Sequence, residues 1–283
     1  MAKPEITVVV PTRERPESLA RCLTALDAQT VDSIEVIVVD DGRPGNEAVE
    51  RAVGRSSARR LLRSPRPGAA AARNAGAAAA RAPLVLFTDD DCVPHSGWAA
   101  AVAGALREHA AAAGTTLTAS PGDRLAVASQ HVADYLTTSS LDSARRIRFA
   151  ASSNLGCRTE VLRALPFDEG YPASGGEDRD WCARLIEAGH GLSFVPDALV
   201  THHQQLDMGS FWRKHTGYGR GARIFRRRHG AADTDGVRGF HLRLVGSAFR
   251  RDPVVGGLVC LAQVATAAGF ARQALTEPRQ GTA

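Results

Sequence analysis

Lysine is nearly absent from this chain, whereas alanine and arginine abound. That bias is the mark of a GC-rich bacterial genome and says little about mechanism. Paired cysteines are missing too: Cys22, Cys92, Cys157, Cys182 and Cys260 are odd in number, widely scattered and form no C-x-x-C. Such spacing argues against a disulfide framework and a zinc site, and it suits a reducing compartment. The first residues, Met1-Ala2-Lys3-Pro4-Glu5, run straight into a strand-like segment without the basic and apolar regions of a signal peptide. A cytoplasmic location is therefore expected. Long apolar runs are scarce as well. The stretch free of charge between Asp252 and Arg272 is rich in Ala and Gly and contains Gln263 and Thr266. It suits a packed or membrane-lying helix better than a span, which disfavours a processive polysaccharide synthase.

What is present fits one large α/β domain, or a core domain with an appended part. The 283 residues, 44% of them hydrophobic, are enough for a sizeable core. A net charge of +5 favours an anionic partner, and on charge alone nucleic acid, a nucleotide and a membrane all qualify. Ile6 to Val10 and Ile34 to Val39 are β-branched runs closed by Pro11 and by Asp40-Asp41-Gly42. Both read as strands buried on two faces. Between them, Pro16 to Gln29 sets Leu19, Cys22, Leu23 and Leu26 at helical spacing, completing a β-α-β unit. Glu47 to Val53 reads as a helix, Arg60 to Leu62 as a short strand, Ala69 to Ala80 as an alanine-dominated helix and Leu84 to Phe87 as a strand. This alternation implies a mostly parallel, doubly wound, Rossmann-like sheet with helices on both faces. Farther on, Ala110 to Ser120 and Thr137 to Arg148 lack periodicity and read as loops and helices. A helix from Asp180 to Gly189 and short strands at Leu192 to Val195 and Ala198 to Val200 lead to His202-His203.

The run Leu84-Val85-Leu86-Phe87-Thr88-Asp89-Asp90-Asp91 delivers three adjacent carboxylates from a buried strand. Three such charges repel one another, and a divalent cation is the natural compensation. In doubly wound sheets ligands gather beyond the carboxyl ends of the strands. Thr12-Arg13, Asp40-Asp41 and Asp89-Asp90-Asp91 follow three strand ends, so they should converge on one crevice.

Five ordered segments carry a family resemblance. They are Val8-Val9-Val10-Pro11-Thr12-Arg13-Glu14-Arg15, Val38-Val39-Asp40-Asp41-Gly42, Gly68-Ala69-Ala70-Ala71-Ala72-Arg73-Asn74-Ala75-Gly76, Asp89-Asp90-Asp91 and Gly176-Glu177-Asp178-Arg179-Asp180. In this order the chain resembles the family 2 glycosyltransferases of the GT-A fold, over roughly residues 5 to 205. The resemblance implies a metal-dependent inverting transferase that moves a sugar from a nucleotide-sugar donor, a UDP- or dTDP-sugar, to an acceptor hydroxyl. The family's D-x-D motif falls on Asp89 and Asp91. Asp91 would coordinate Mg2+ or Mn2+, Asp89 would contact the ribose or support the metal shell, and Asp90 would cap the turn or tune that shell. A cation there neutralises the diphosphate as it leaves. Asp41, with Asp40 beside it, resembles the carboxylate that accepts from the nucleobase imide, and Pro11, Thr12 and Arg13 lie where the base packs. Glu14 departs from the family pattern, which has Asn or Asp there. Arg73 and Asn74 match a pair that faces the nucleotide, and an arginine turned inward on an alanine surface needs an anion.

Asp178 matches the general base, aimed from a helix start behind Gly175-Gly176, with Glu177 orienting it or binding acceptor. His202 resembles the histidine that completes the metal or diphosphate site, and His203 stands next to it. Trp181 reads as core or as an acceptor platform. From Phe211 to His229 a basic region interleaves Arg213, Lys214, Arg220, Arg223, Arg226, Arg227 and Arg228 with Trp212, Tyr218, Ile224 and Phe225. Three readings compete for it: a lid using Arg220 and Arg223, a peripheral contact with the inner face of the plasma membrane, and a solvated helix face. The expected organisation is a glycosyltransferase domain over 1–205, with a nucleotide-binding half over 1–92 and an acceptor half over 93–205, and a basic helical extension over 206–283. A small molecule, a lipid carrier or a glycan all fit as acceptor, and no nucleic acid is expected. Two rivals are a sugar nucleotidyltransferase, disfavoured because Pro11-Thr12-Arg13-Glu14-Arg15 has no glycine, and a non-catalytic nucleotide- or anion-binding module, disfavoured by two intact acidic motifs.

Overall fold

A computed structural model describes residues 3–42, 45, 47–54, 56–171, 175–230 and 239–276. Contacts divide the chain into two units. The first, Met1–Ala119 with Leu136–Glu169 and Asp178–Gln204, contains the sheet. The second is made of Ser120–Tyr135, Gly170–Glu177 and Gln205–Ala283.

In the first unit, β1 (Ile6–Thr12), α1 (Pro16–Asp27), β2 (Ile34–Asp40), α2 (Glu47–Val53), β3 (Arg59–Arg63), α3 (Ala69–Ala79) and β4 (Leu84–Phe87) alternate. The four strands are parallel neighbours in the order β3-β2-β1-β4. Their pleat explains the sequence pattern. Val9, Ile37, Val85 and Phe87 point to one face, into a core with the alanines of α3. Val8, Val10, Val36, Val38 and Leu86 point to the other, against Leu19, Cys22 and Leu23 of α1. Strands covered on both faces have no polar alternation to show. The alanine content of α3 follows from its close approach to β1, since a Cβ on Gly76 would lie 2.4 Å from Val9 Cγ1.

Beyond β4 the topology turns mixed. β5 (Cys92–Pro94), α4 (Trp98–Ala105), β6 (Ala111–Thr118), β7 (Leu155–Arg158), α6 (Thr159–Ala164), α7 (Glu177–Glu187) and β8 (Leu192–His202) complete the unit. Among the described residues the sheet has eight strands, ordered β3-β2-β1-β4-β7-β6-β8-β5, with β7 antiparallel to both β4 and β6. Two expectations change here. Ala110 to Ser120 is no loop but carries an interior strand, because small residues suffice where both faces are covered: Ala111 and Ala113 lie in one core cluster and Ala112 in the other, with Trp98, Val102 and Leu106. The two short strands expected around Pro196 are one strand. Its register against β6 jumps between Gly114 and Thr115, and the displaced Pro196 to Ala198 bulge needs no ladder N–H from proline. Gly114 must be glycine there, as a Cβ would meet Ala198 O at 1.9 Å.

In the second unit, α5 (Arg124–Thr138), α8 (Met208–His229), α9 (Phe240–Arg251) and α10 (Pro253–Thr276) pack together. A capping box starts α8: Asp207 accepts from Ser210 N, and Ser210 Oγ accepts from Asp207 N. Small residues let α8 and α10 touch backbone to backbone. A Cβ on Gly219 would lie 1.9 Å from Thr266 O, and one on Gly269 would lie 2.0 Å from Thr216 O. α9 is tied to α10 by Phe249 against Gly256 and by His241 Nδ1 beside Gln263 Oε1 at 2.8 Å, and to α5 by His131 Nε2 and Ser247 Oγ at 2.9 Å.

Candidate functional site

Register places the polar strand ends level with one another. Thr12 pairs with Asp40, Asp41 N donates to Thr12 O, and Thr88 N donates to Val9 O just before the acids begin. The three carboxylates then diverge. Asp90 turns inward and is fully buried, accepting from Thr12 Oγ1 at 2.6 Å and pairing with Arg15 Nη2 at 2.7 Å. Burial pushes its carboxyl up to about 6, against the opposing pull of Arg15 and Thr12. Asp91 pairs with Arg15 Nη1 at 2.8 Å through Oδ2, while its Oδ1 faces His202 Nε2 at 3.3 Å. Asp89 accepts from Arg73 Nη2 at 2.9 Å. Arg15, a residue to which the sequence assigned no role, therefore bridges two of the three acids and offsets their repulsion. Burial would lower its pKa, but Asp91, Asp90 and Asp89 together raise it.

The antiparallel pairing of β5 with β8 sets Cys92 opposite His202, and His203 N donates to Asp91 O. Ligand atoms of Asp91, Cys92 and His202 lie within 4.8 Å of one another. Burial pushes the Cys92 thiol well above its usual range, and a soft sulfur is a poor match for the hard cations of this chemistry in any case. The donors that suit a hard divalent cation are the Asp91 carboxylate and the His202 imidazole, whose Nδ1 lies 3.1 Å from Gln204 Nε2. Such a pair suits Mn2+ or Mg2+ with further positions left to phosphate oxygens and water, whereas zinc or iron–sulfur chemistry would want the thiol. The residues present fit the implied cation.

Arg73 is the bridge of the site. Its side chain is buried in the middle of α3, 2.9 Å from Asp89 and, through Nη1, 3.8 Å from Asp178 Oδ1. Asp178 is the second residue of α7, and its Oδ2 accepts from Ser152 N at 3.2 Å. Burial raises its pKa, and Arg73 and Ser152 oppose the rise. Ser152 opens a 3-10 turn, Ser152–Asn154, that Asn154 anchors by accepting from Trp98 Nε1 and donating to the carbonyls of Thr115 and Ala198. Nothing in the sequence marked this turn.

The remaining expected residues divide. Asp40 is buried and satisfied by Gly42 N and Arg63, so it ends its strand rather than facing a ligand. Asp41 is half-buried and accepts from Gly68 N at 2.8 Å, at the start of α3. Arg13 is exposed beyond the half-buried Pro11, and Glu14 holds a left-handed φ of 55°. Asn74 is committed to a neighbouring loop, donating to Phe167 O and Glu169 and accepting from Phe167 N. Trp181 is fully buried, donates to Leu165 O and stacks on Phe167; it packs the core and presents no face to an acceptor. Glu177 is buried at the first position of α7. In the second unit, Arg220 Nε donates to Gln273 Oε1 at 3.2 Å and Arg223 sits 5.6 Å from the Phe270 ring, so both lean on α10. The segment before α7 is moulded on α8. Gly175 and Gly176 have φ of 127° and 112°, a Cβ on Gly175 would strike the Tyr218 ring, one on Gly221 would meet Gly175 O at 2.1 Å, and Arg228 lies 4.8 Å over Tyr171.

Known proteins agree with this architecture. The profile of Glycosyl transferase family 2 matches residues 7–167. The pre-mycofactocin glycosyltransferase of Mycobacterium tuberculosis is 33% identical over 237 residues, covering 80% of this chain and 48% of its own length. The glycosyltransferase AglE of Haloferax volcanii is 26% identical over 210 residues, 70% of this chain and 67% of that protein. The chain thus spans about half the length of the mycobacterial relative it matches. A mannosyltransferase of Pyrobaculum calidifontis, solved in complex with GDP-Man and Mn2+, superposes over 98% of this chain and 77% of its own, with a TM-score of 0.62 at 18% identity.

Proposed function

The chain belongs to glycosyltransferase family 2, and on that premise we propose that it moves a sugar from a nucleotide-sugar donor to an acceptor hydroxyl with inversion at the anomeric carbon. The observation that carries this reading is Arg73, which joins Asp89 of the acidic strand end to Asp178 of α7. It brings the donor side and the acceptor side to one guanidinium. Residues 1–92 serve the nucleotide and 93–205 the acceptor. Asp41 offers the carboxylate that a uracil or thymine imide requires, which favours a UDP- or dTDP-sugar. Asp89 meets the ribose. Asp91 and His202 hold the divalent cation, Mg2+ or Mn2+, which when bound neutralises the charge that builds on the diphosphate. Burial and its pairing with the half-exposed Arg15 keep Asp90 out of that role.

Asp178 takes the proton. As the acceptor oxygen forms its bond to the anomeric carbon, the bond to the diphosphate breaks and carries its electron pair away with the nucleotide. The acceptor's hydroxyl proton passes to the Asp178 carboxylate. Burial has already raised that carboxylate's pKa, making it a stronger base than an exposed aspartate. Ser152 N fixes one oxygen, which leaves the direction of the other defined. A thermal-shift screen of UDP-, dTDP- and GDP-sugars with and without Mn2+ tests the donor side. Metal-dependent stabilisation is expected and should vanish in Asp91→Asn. Asp178→Asn should keep that stabilisation and lose transfer by a hundredfold or more, and a fully active variant would remove Asp178 as base. Anomeric coupling in the product's proton spectrum reports inversion.

A further inference from the structure

The charge of the chain is not evenly spread. Residues 206–283 hold thirteen Lys or Arg against five Asp or Glu, a net +8, which leaves −3 for residues 1–205. Within that segment, α10 is 24 residues of apolar and small side chains, and among the described residues it is the one helix long and apolar enough to cross a bilayer. Only about a third of its most apolar window is buried inside the protein. Val254, Gly257, Leu261, Val264, Ala268 and Leu275 recur at helical spacing along its outer side, with Val264 58% and Leu275 87% exposed. On α9, Leu242 and Phe249 are exposed as well, each followed in sequence by an arginine, Arg243 and Arg250.

The geometry points to a docking surface: the second unit lies with the outer stripe of α10 in the surface of an anionic bilayer. An exposed apolar stripe bordered by arginine is the pattern of a helix lying in the headgroup layer. A spanning arrangement conflicts with the packing. α10 is locked to α8 through Gly219, Thr266, Gly269 and Thr216, and Arg220 and Arg223 are engaged with Gln273 and Phe270. Carrying α10 through hydrocarbon would take these cations with it. Lying flat keeps the arginines at headgroup level and buries only the stripe. A second copy of the chain would bring a like +8 segment against itself, so charge favours lipid over self-association.

Flotation of the full chain with vesicles tests this directly, independently of any transferase activity. The probes are phosphatidylcholine alone and phosphatidylcholine with 30% phosphatidylglycerol, each at about 0.1 and 0.5 M NaCl. Binding to the anionic vesicles is expected to be at least tenfold tighter than to the neutral ones, to weaken in high salt, and to be released by an alkaline carbonate wash. Val264→Glu and Leu275→Glu, both at exposed positions, should lower it at least tenfold while leaving the melting temperature unchanged. Equal binding to both vesicles, no binding to either, or resistance to carbonate would overturn the proposal. So would a dimer in light scattering that Val264→Glu dissolves while vesicle binding is absent.

Discussion

Glu14 sits in the left-handed region at φ 55°, directly after the strand end that offers Thr12 and Arg13. Side chains with a Cβ reach that region at a cost of about 1–2 kcal/mol, and asparagine or aspartate tolerates it best. The departure from the Asn or Asp of the family pattern therefore acts first on the backbone. Glu14→Asn should raise the melting temperature by about 2 °C or more, read by differential scanning calorimetry, with donor affinity changed little. Individual residues were also where the site was hardest to read in advance. Asp89, Asp91, Asp178 and His202 stand out as charged types at strand and helix ends. Arg15 and Ser152 did not, because their part depends on where β1, α3 and the 3-10 turn come to rest. Asn74 was legible only as an amide matching the nucleotide-facing pair, while its bonds to Phe167 and Glu169 had no sign in the sequence.

At the scale of elements, the first four strands were legible because β-branched runs buried on two faces leave a plain pattern. β6 was not, since Ala-Ala-Ala-Gly-Thr-Thr carries no β-branched run until its second half. β8 was split in two by Pro196, which the register shift absorbs. The contact of α8 with Gly175 carries a prediction of its own. Gly221 lies inside a helix, where replacement by alanine ordinarily stabilises by about 0.5–1 kcal/mol. Here the added Cβ would sit 2.1 Å from Gly175 O, two backbones that can only separate by shifting the lead-in to α7. A displacement of about 1 Å at a base costs on the order of a hundredfold. Gly221→Ala should accordingly lower kcat by tenfold to a hundredfold with donor KM nearly unchanged, as steady-state kinetics with saturating acceptor would show.

The whole molecule's response to acid carries the mark of one buried side chain. His215, on α8 between Phe211 and Tyr218, is fully buried, and neither ring nitrogen has a hydrogen-bond partner among the described residues. Burial, with Lys214 adding to it, lowers its pKa to about 4. The unfolded chain takes up this proton as pH falls through about 6.5, while the folded chain refuses it until about 4. Stability is thus intact above about 6.5 and declines below it, by on the order of 2 kcal/mol at pH 5 from this group alone. Asp134 acts in the opposite sense, since burial raises it to about 6 and favours the fold at low pH. Comparison with His215→Leu isolates the histidine: the variant should match or exceed the parent at pH 7 and gain on it steadily toward pH 5 in thermal melts.

Arg73 spans two carboxylates that, in the proposed reaction, change unequally. Asp89 keeps its charge throughout, whereas Asp178 loses its charge in the instant it accepts the acceptor's proton. Each turnover therefore takes one negative charge from beside the guanidinium until that proton departs. The cluster loses a negative charge while the spent nucleotide is still beside it, and clearing the proton restores that charge against the diphosphate, so the two departures become halves of one resetting event.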